Sequence, residues 1–263
     1  MADQLAVQLY TVREFTQTAK DLAETLRRIR EIGYTAVQVS AVGAMNGDRP
    51  EVDAALARRM LDDHGLRCIA THRPWQALRD QTEAEIDFHH TLGCDFAAIG
   101  GLGNQQPESL QRYRDFLREA HPVIDRLRTA GIRFAHHNHS HEFFRSEPGA
   151  PCPEDILIDE GGDGLFLELD LYWIEHAGYN CTRILERCPG RVPVIHLKDK
   201  EVIEGQNETR MAPIGEGNLD WDGILAACGA AGVRWYAVEQ DQCFRDPFDC
   251  LRSSYEFLRS KGL

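Results

Sequence analysis

Short apolar runs alternate along this chain with longer stretches whose apolar residues return every three or four positions. The first pattern reads as buried strand and the second as amphipathic helix. Strands are expected at 5–9, 35–39, 67–71 and 95–99, in the run that opens at Gly131, and at 165–169, 192–195 and 235–238. Between them lie helices near 50–64, 82–92, 154–159, 182–187, 220–230 and 247–259. The first helix is expected to start at an Asp21 cap, to carry the stripe Leu22, Leu26 and Ile29, and to end at Gly33. The clearest helix carries Leu110, Tyr113, Leu117, Ala120, Ile124 and Leu127, with Gly131 closing it and Pro122 expected to kink it. Residues 200–218 read as a polar loop.

Regular β–α alternation means a parallel sheet with helices outside it. Eight such units in 263 residues fit an α/β fold of one (β/α)8 TIM barrel, a single domain over 1–263. An open doubly wound sheet would carry a Gly-rich turn after its first strand. Leu9-Tyr10-Thr11-Val12-Arg13 is not one.

Composition narrows the partners. Lysine and arginine total 29 against 42 acidic residues, a net charge of −13, which disfavours nucleic acid and anionic membrane as partners. No run is long enough for a membrane helix, and Met1-Ala2-Asp3-Gln4-Leu5 lacks the basic and apolar regions of a signal peptide. The eight cysteines are scattered without a CxxC pair. They read as reduced thiols of a cytoplasmic protein.

The chemistry gathers at the C-terminal ends of the strands, where barrel active sites lie. These ends carry Tyr10, Gln38, His72, Trp75, Gly100, Asp170, Trp173, His196, Lys198, Glu239 and Asp241. The fifth carries Ala135-His136-His137-Asn138-His139-Ser140-His141-Glu142-Phe143. If that strand persists, His137, His139 and His141 share one face. Asp170, His196 and Glu239 each follow directly on an apolar strand, and Glu142 lies just past another. Three carboxylates converging on one rim need a positive charge between them, and a divalent metal supplies it. Such a donor set suits Mn²⁺, Co²⁺ or Mg²⁺ better than a structural zinc site.

Six segments resemble one family. Val7-Gln8-Leu9-Tyr10-Thr11-Val12-Arg13 looks like its opening strand, and His137-Asn138-His139-Ser140-His141-Glu142-Phe143 is similar to its HNHxxEF motif. Leu169-Asp170-Leu171-Tyr172-Trp173, His196-Leu197-Lys198-Asp199, Gly215-Glu216-Gly217 and Val238-Glu239-Gln240-Asp241 match its later motifs. The family is the xylose-isomerase-like barrels of the sugar phosphate isomerase/epimerase superfamily. The resemblance implies one divalent metal, Mn²⁺ foremost with Co²⁺, Mg²⁺ or Zn²⁺ as alternatives, held by Glu142, Asp170, His196 and Glu239. Other branches place the fifth-strand glutamate where this chain has His137, so His137 or His139 stands as the alternative ligand.

The resemblance implies an isomerase or epimerase that removes a proton next to a carbonyl through a metal-bound enediolate. Glu142 and Glu239, or His137 and His139, would move the proton. His72, Lys198, Trp173, Tyr10 and Trp75 would contact a small sugar or keto-glycoside. Elimination from a keto-sugar or 3-keto-glycoside, as a lyase or dehydratase, is the alternative outcome of the same chemistry. Phosphodiester hydrolysis is the remote one, disfavoured by the acidic charge. A homo-oligomer and a partner subunit are both compatible with the sequence. Glu168 should face the same side as Asp170, deeper in the barrel, and the Gly215-Glu216-Gly217 loop could act as a lid.

Overall fold

A computed structural model describes residues 4–103 and 109–263; residues 1–3 of the N-terminal stretch lie outside them. The strands, in chain order, are β1 (Leu5–Gln8), β2 (Ala36–Val39), β3 (Arg67–His72), β4 (Phe96–Ile99), β5 (Arg133–His137), β6 (Leu165–Glu168), β7 (Val194–Leu197), β8 (Asp199–Val202), β9 (Thr209–Ala212) and β10 (Trp235–Val238). The helices are α1 (Ala19–Ile32), α2 (Ala54–Asp63), α3 (Trp75–Asp80), α4 (Thr82–Leu92), α5 (Leu110–Thr129), α6 (Pro153–Glu160), α7 (Leu171–His176), α8 (Cys181–Glu186), α9 (Trp221–Ala231) and α10 (Pro247–Ser260).

Eight strands form one parallel sheet in the order β6-β5-β4-β3-β2-β1-β10-β7. The seam between β6 and β7 is closed by a parallel bridge between Asp170 and His196 and by the His196 amide donating to the Leu169 carbonyl at 2.9 Å. The result is a (β/α)8 barrel.

Strand periodicity builds the interior in layers. Ala6, Ala36, Ala70, Phe96, Ala98, Ala135, Val194 and Ala237 belong to one buried apolar cluster inside the barrel, with Phe166 and Trp235 packed against it. Small side chains suit this position because an eight-stranded barrel is narrow. Two residues further along the same strands come Gln8, Gln38, His72, Gly100, His137, Glu168, His196 and Glu239. A further two bring Asp170, Lys198 and Asp241. An apolar floor thus passes into a polar mouth within one pleat repeat. The intervening positions, such as Val7, Val37, Leu167 and Ile195, belong to the larger core shared with the helices.

Several local expectations are corrected. Thr18, not Asp21, caps α1. Its hydroxyl oxygen accepts from the Asp21 amide at 3.1 Å, and the same hydroxyl donates to Asp21 Oδ2 at 2.7 Å. Asp53 caps α2 by accepting from the Leu56 amide at 2.7 Å, so Pro50 stands outside it. Helix α5 continues to Thr129 with Pro122 inside it. The six-residue α3 and α7 were too short to show a period. The polar loop contains the antiparallel β8–β9 pair. Asp199 anchors the turn after β9, accepting from the amides of Gly215 at 2.9 Å and Gly217 at 3.1 Å and from the Trp221 indole at 2.6 Å. A Cβ at Gly217 would lie 2.2 Å from Asp199 Oδ1, so this turn needs glycine and the expected lid is tied at its base.

The fifth strand stops at His137, so His139 and His141 do not continue its face. His136 points to the outer layer. It is buried against Tyr113 and Phe116, with ring centroids 6.0 and 5.9 Å away, and neither ring nitrogen has a hydrogen-bond partner among the described residues. Burial lowers its pKa to about 4. The unfolded chain takes up this proton near pH 6.5. Stability is therefore full above about pH 6.5 and declines as pH falls toward 4, by on the order of 3 kcal/mol at this residue. The expected outcome is that His136→Phe loses less stability than the wild type between pH 7 and 4.5 in urea titrations. An equal loss would contradict it.

Candidate metal centre and active site

Asp170, His196 and Glu239 come together at the mouth. Asp170 Oδ2, His196 Nδ1 and Glu239 Oε2 lie within 4.8 Å of one another. His196 Nδ1 is 2.9 Å from Glu239 Oε2 and 3.9 Å from Asp170 Oδ2. All three residues are buried, and none of the three atoms makes an aligned hydrogen bond among the described residues. Buried polar atoms are nearly always satisfied. An imidazole and two carboxylates this close together make a place for a cation, and this group could hold a metal ion. Lys198 Nζ stands at its edge, 2.9 Å from both Asp170 Oδ2 and Glu239 Oε2.

A second layer orients these groups. The far nitrogen of His196, Nε2, is 2.7 Å from Gln38 Oε1. An amide oxygen only accepts, so Nε2 carries a proton toward Gln38, and Nδ1 is the nitrogen that faces the carboxylates. Gln38 Nε2 donates to Glu168 Oε1 at 2.8 Å. The other oxygen, Glu168 Oε2, is 2.5 Å from His72 Nε2, 3.3 Å from His196 Nε2 and 3.6 Å from His137 Nδ1. Glu168 is thus paired with imidazoles and an amide. Sequence reasoning assigned no role to Gln38. A lone amide in the buried strand Ala36-Val37-Gln38-Val39 was its signal.

The charges follow from this packing. Burial works against the charge of Glu239, but Lys198 and His196 outweigh it and hold the carboxyl well below its usual range. Burial, reinforced by Glu239, raises Asp170 to about 6 despite Lys198. Burial opposes the imidazolium of His196, yet Glu168 and Glu239 raise it to about 10. His139 is lowered to about 4, by burial first, and is neutral near pH 7.

The other expected site residues separate into three places. Tyr10, His72, His137, His139, Lys198 and Glu239 line one cavity of about 260 Å³. His137 Nε2 lies 3.9 Å from Asp170 Oδ2, and its ring centroid is 4.5 Å from that of His196. Trp173 does not line this cavity but packs beside two residues that do, its ring 5.9 Å from the His139 ring and 5.7 Å from Lys198 Nζ. Glu142 is not in the Asp170–His196–Glu239 group. It sits in a short 3₁₀ turn (His141–Phe143) with His139 and His141. One of its oxygens accepts from the His139 amide at 2.8 Å, and the other is 3.0 Å from His141 Nε2. Asn138 makes this turn. Its side-chain oxygen accepts from the Asp170 amide at 2.9 Å, which pulls the chain toward β6 and away from the strand direction. Trp75 packs on Phe116 and Phe134, 5.1 and 5.9 Å away, and lines a neighbouring groove instead of the central cavity.

The fold and this cavity define a (β/α)8 barrel whose C-terminal mouth carries a buried His/Asp/Glu cluster able to hold a metal ion. Within that class the chain belongs to the xylose isomerase-like TIM barrel family, whose model matches residues 26–261. Among solved structures it is similar to a sugar phosphate isomerase/epimerase from Parabacteroides distasonis, at 21% identity and a TM-score of 0.78 over 99% of this chain and 95% of that one. It is also similar to an L-ribulose 3-epimerase, at 16% identity and a TM-score of 0.74 over 98% and 94%. A third is the IolI protein with a binding zinc atom, at 16% identity and a TM-score of 0.72 over 98% and 97%. The comparison with curated proteins returned no match. No helix among the described residues is long and apolar enough to cross a membrane.

Proposed function

We propose that this chain is a divalent-metal-dependent isomerase or epimerase that moves a proton next to the carbonyl of a small sugar. One observation carries the reading: Asp170 Oδ2, His196 Nδ1 and Glu239 Oε2 converge within 4.8 Å of one another, and Glu239 also lines the cavity of about 260 Å³. The cation would be held by these three residues, with His137 rather than Glu142 as the fourth. Two imidazoles and two carboxylates suit Zn²⁺ and Co²⁺ as well as Mn²⁺. When bound, the ion would supply the positive charge that stabilises developing negative charge on the carbonyl oxygen.

The chain's own residues do the rest. Glu239 is kept ionised in the cavity wall. His139 is kept neutral, with Nδ1 unpaired. Both line the cavity in their unprotonated forms, so each can act as an acceptor for a proton leaving a carbon beside it. Two proton-accepting groups suit removal at one position and return at another. Tyr10, His72 and Lys198 line the same cavity and would hold the sugar's oxygens, with Trp173 packed beside Lys198.

Deuterium incorporation tests the reaction. Metal-loaded protein incubated with keto-sugars in D₂O is expected to place deuterium beside the carbonyl, read by NMR, and to stop doing so after treatment with EDTA. Turnover of any substrate without such exchange would defeat the proposal. The ligand set has its own test. His137→Ala is expected to lower metal content under limiting metal by roughly tenfold, whereas Glu142→Gln is expected to leave it near wild type, measured by elemental analysis after dialysis. The opposite pattern would return Glu142 to the metal.

A further inference from the structure

Lys198 is among the largest fully buried side chains of the molecule, and its ammonium meets three carboxylates at once. It lies 2.9 Å from Asp170 Oδ2, 2.9 Å from Glu239 Oε2 and 2.7 Å from Asp241 Oδ1. The first two are the oxygens that the proposed metal centre needs. Two buried carboxylates with no cation between them would repel each other and lack solvation. Lys198 removes that penalty in the metal-free chain. A dication on the same two oxygens would stand against the ammonium, and like charges this close in a buried site repel strongly. Both cannot keep these contacts.

Asp241 offers the lysine another place. It stands one pleat repeat above Glu239 on the same strand direction, outside the His/Asp/Glu group. Its side chain is 25% exposed, against 0% for Asp170 and 5% for Glu239. The contact between Lys198 and Asp241 is also an aligned hydrogen bond. Both residues line the cavity, so a lysine held by Asp241 alone would stay at the wall where a substrate enters.

We propose that Lys198 is a resident counter-ion that the metal must displace, and that Asp241 is the berth that keeps the displaced ammonium at the cavity wall. The proposal rests on the metal-centre reading above. The site is then never without positive charge. The metal-free barrel keeps its mouth intact, at the expense of weaker metal binding. Loading also frees Lys198 from the metal's oxygens while it stays at the cavity wall.

Calorimetric titration of metal-stripped protein with Mn²⁺, and separately with Zn²⁺, tests this with wild type, Lys198→Met, Asp241→Asn and the double variant. Lys198→Met is expected to bind metal at least about tenfold tighter than wild type. Its metal-free form is expected to melt at a lower temperature than the wild type and to gain more on metal addition. Asp241→Asn is expected to bind several-fold more weakly, and this loss is expected to shrink when Lys198 is already methionine. Equal or weaker binding by Lys198→Met would overturn the proposal. So would an Asp241→Asn loss of the same size in both backgrounds. If Lys198→Met does not fold, Asp241→Asn decides, because unchanged affinity there leaves the lysine no berth. Absence of binding in every variant, wild type included, would defeat the metal reading and the proposal together.

Discussion

Asp170→Asn is expected to lower kcat/KM by roughly three orders of magnitude while leaving the fold intact. The reason lies in the two oxygens of the carboxylate. Asp170 Oδ1 accepts from the Trp173 amide at 3.2 Å and caps α7. Asparagine keeps that bond, since its side-chain oxygen is a good cap. Asp170 Oδ2 faces His196, Glu239 and Lys198. There the amide brings neither a negative charge nor a second lone-pair oxygen. Metal content should fall with activity, and thermal melting of the metal-free form should change little. A variant that kept full metal and full activity would remove Asp170 from the site.

Glu168→Ala is expected to cost about 3–5 kcal/mol of stability, a range typical of breaking a buried ion pair from one side. Glu168 has no exposure, and its oxygens serve Gln38, His72, His196 and His137. Truncation leaves the imidazolium of His196 without its main counter-charge. The pH dependence has a definite sign. Glu168 is held well below its usual 4.5 by the His196 and His72 charges, against burial. Its contribution is therefore present above about pH 4.5 and is lost as pH falls below that. His196 is raised from 6.5 to about 10. Its contribution is full below about pH 6.5 and is lost as pH rises toward 10. Glu168→Gln, which keeps the shape but not the charge, should lose less stability than wild type between pH 6.5 and 10. Urea titrations at pH 6, 8 and 10 measure this, and parallel curves for the two proteins would exclude the coupling.

The barrel was legible because both of its signals are local. A short continuous apolar run such as Trp235–Val238 reports a strand buried on both faces, and a period near four across Leu110–Thr129 reports a helix buried on one side. Parallel pairing follows from their alternation. Asp170, His196 and Glu239 were legible for a related reason. Each stands where an apolar strand turns abruptly polar, and pleat geometry gives them a common interior. The short helices α3 and α7 were not, because six residues carry less than two helical periods, and the β8–β9 pair was not, because its residues are mostly polar and carry no apolar run.

The amino-acid sequence by itself determined which residues could reach the mouth of the barrel, since strand alternation sorts side chains to the inside or the outside before any packing occurs. It did not determine which of the reachable groups meet. That was decided by the tertiary structure, through contacts between residues far apart in the chain. Asn138 binding the Asp170 amide ends the fifth strand at His137 and carries Glu142 into a separate turn. Gln38 sets the proton of His196 from across the barrel. Lys198 settles between three carboxylates drawn from two strand ends. Hydrogen bonds and charge pairs of this kind depend on distances of a few ångströms between distant segments, and no local periodicity encodes them.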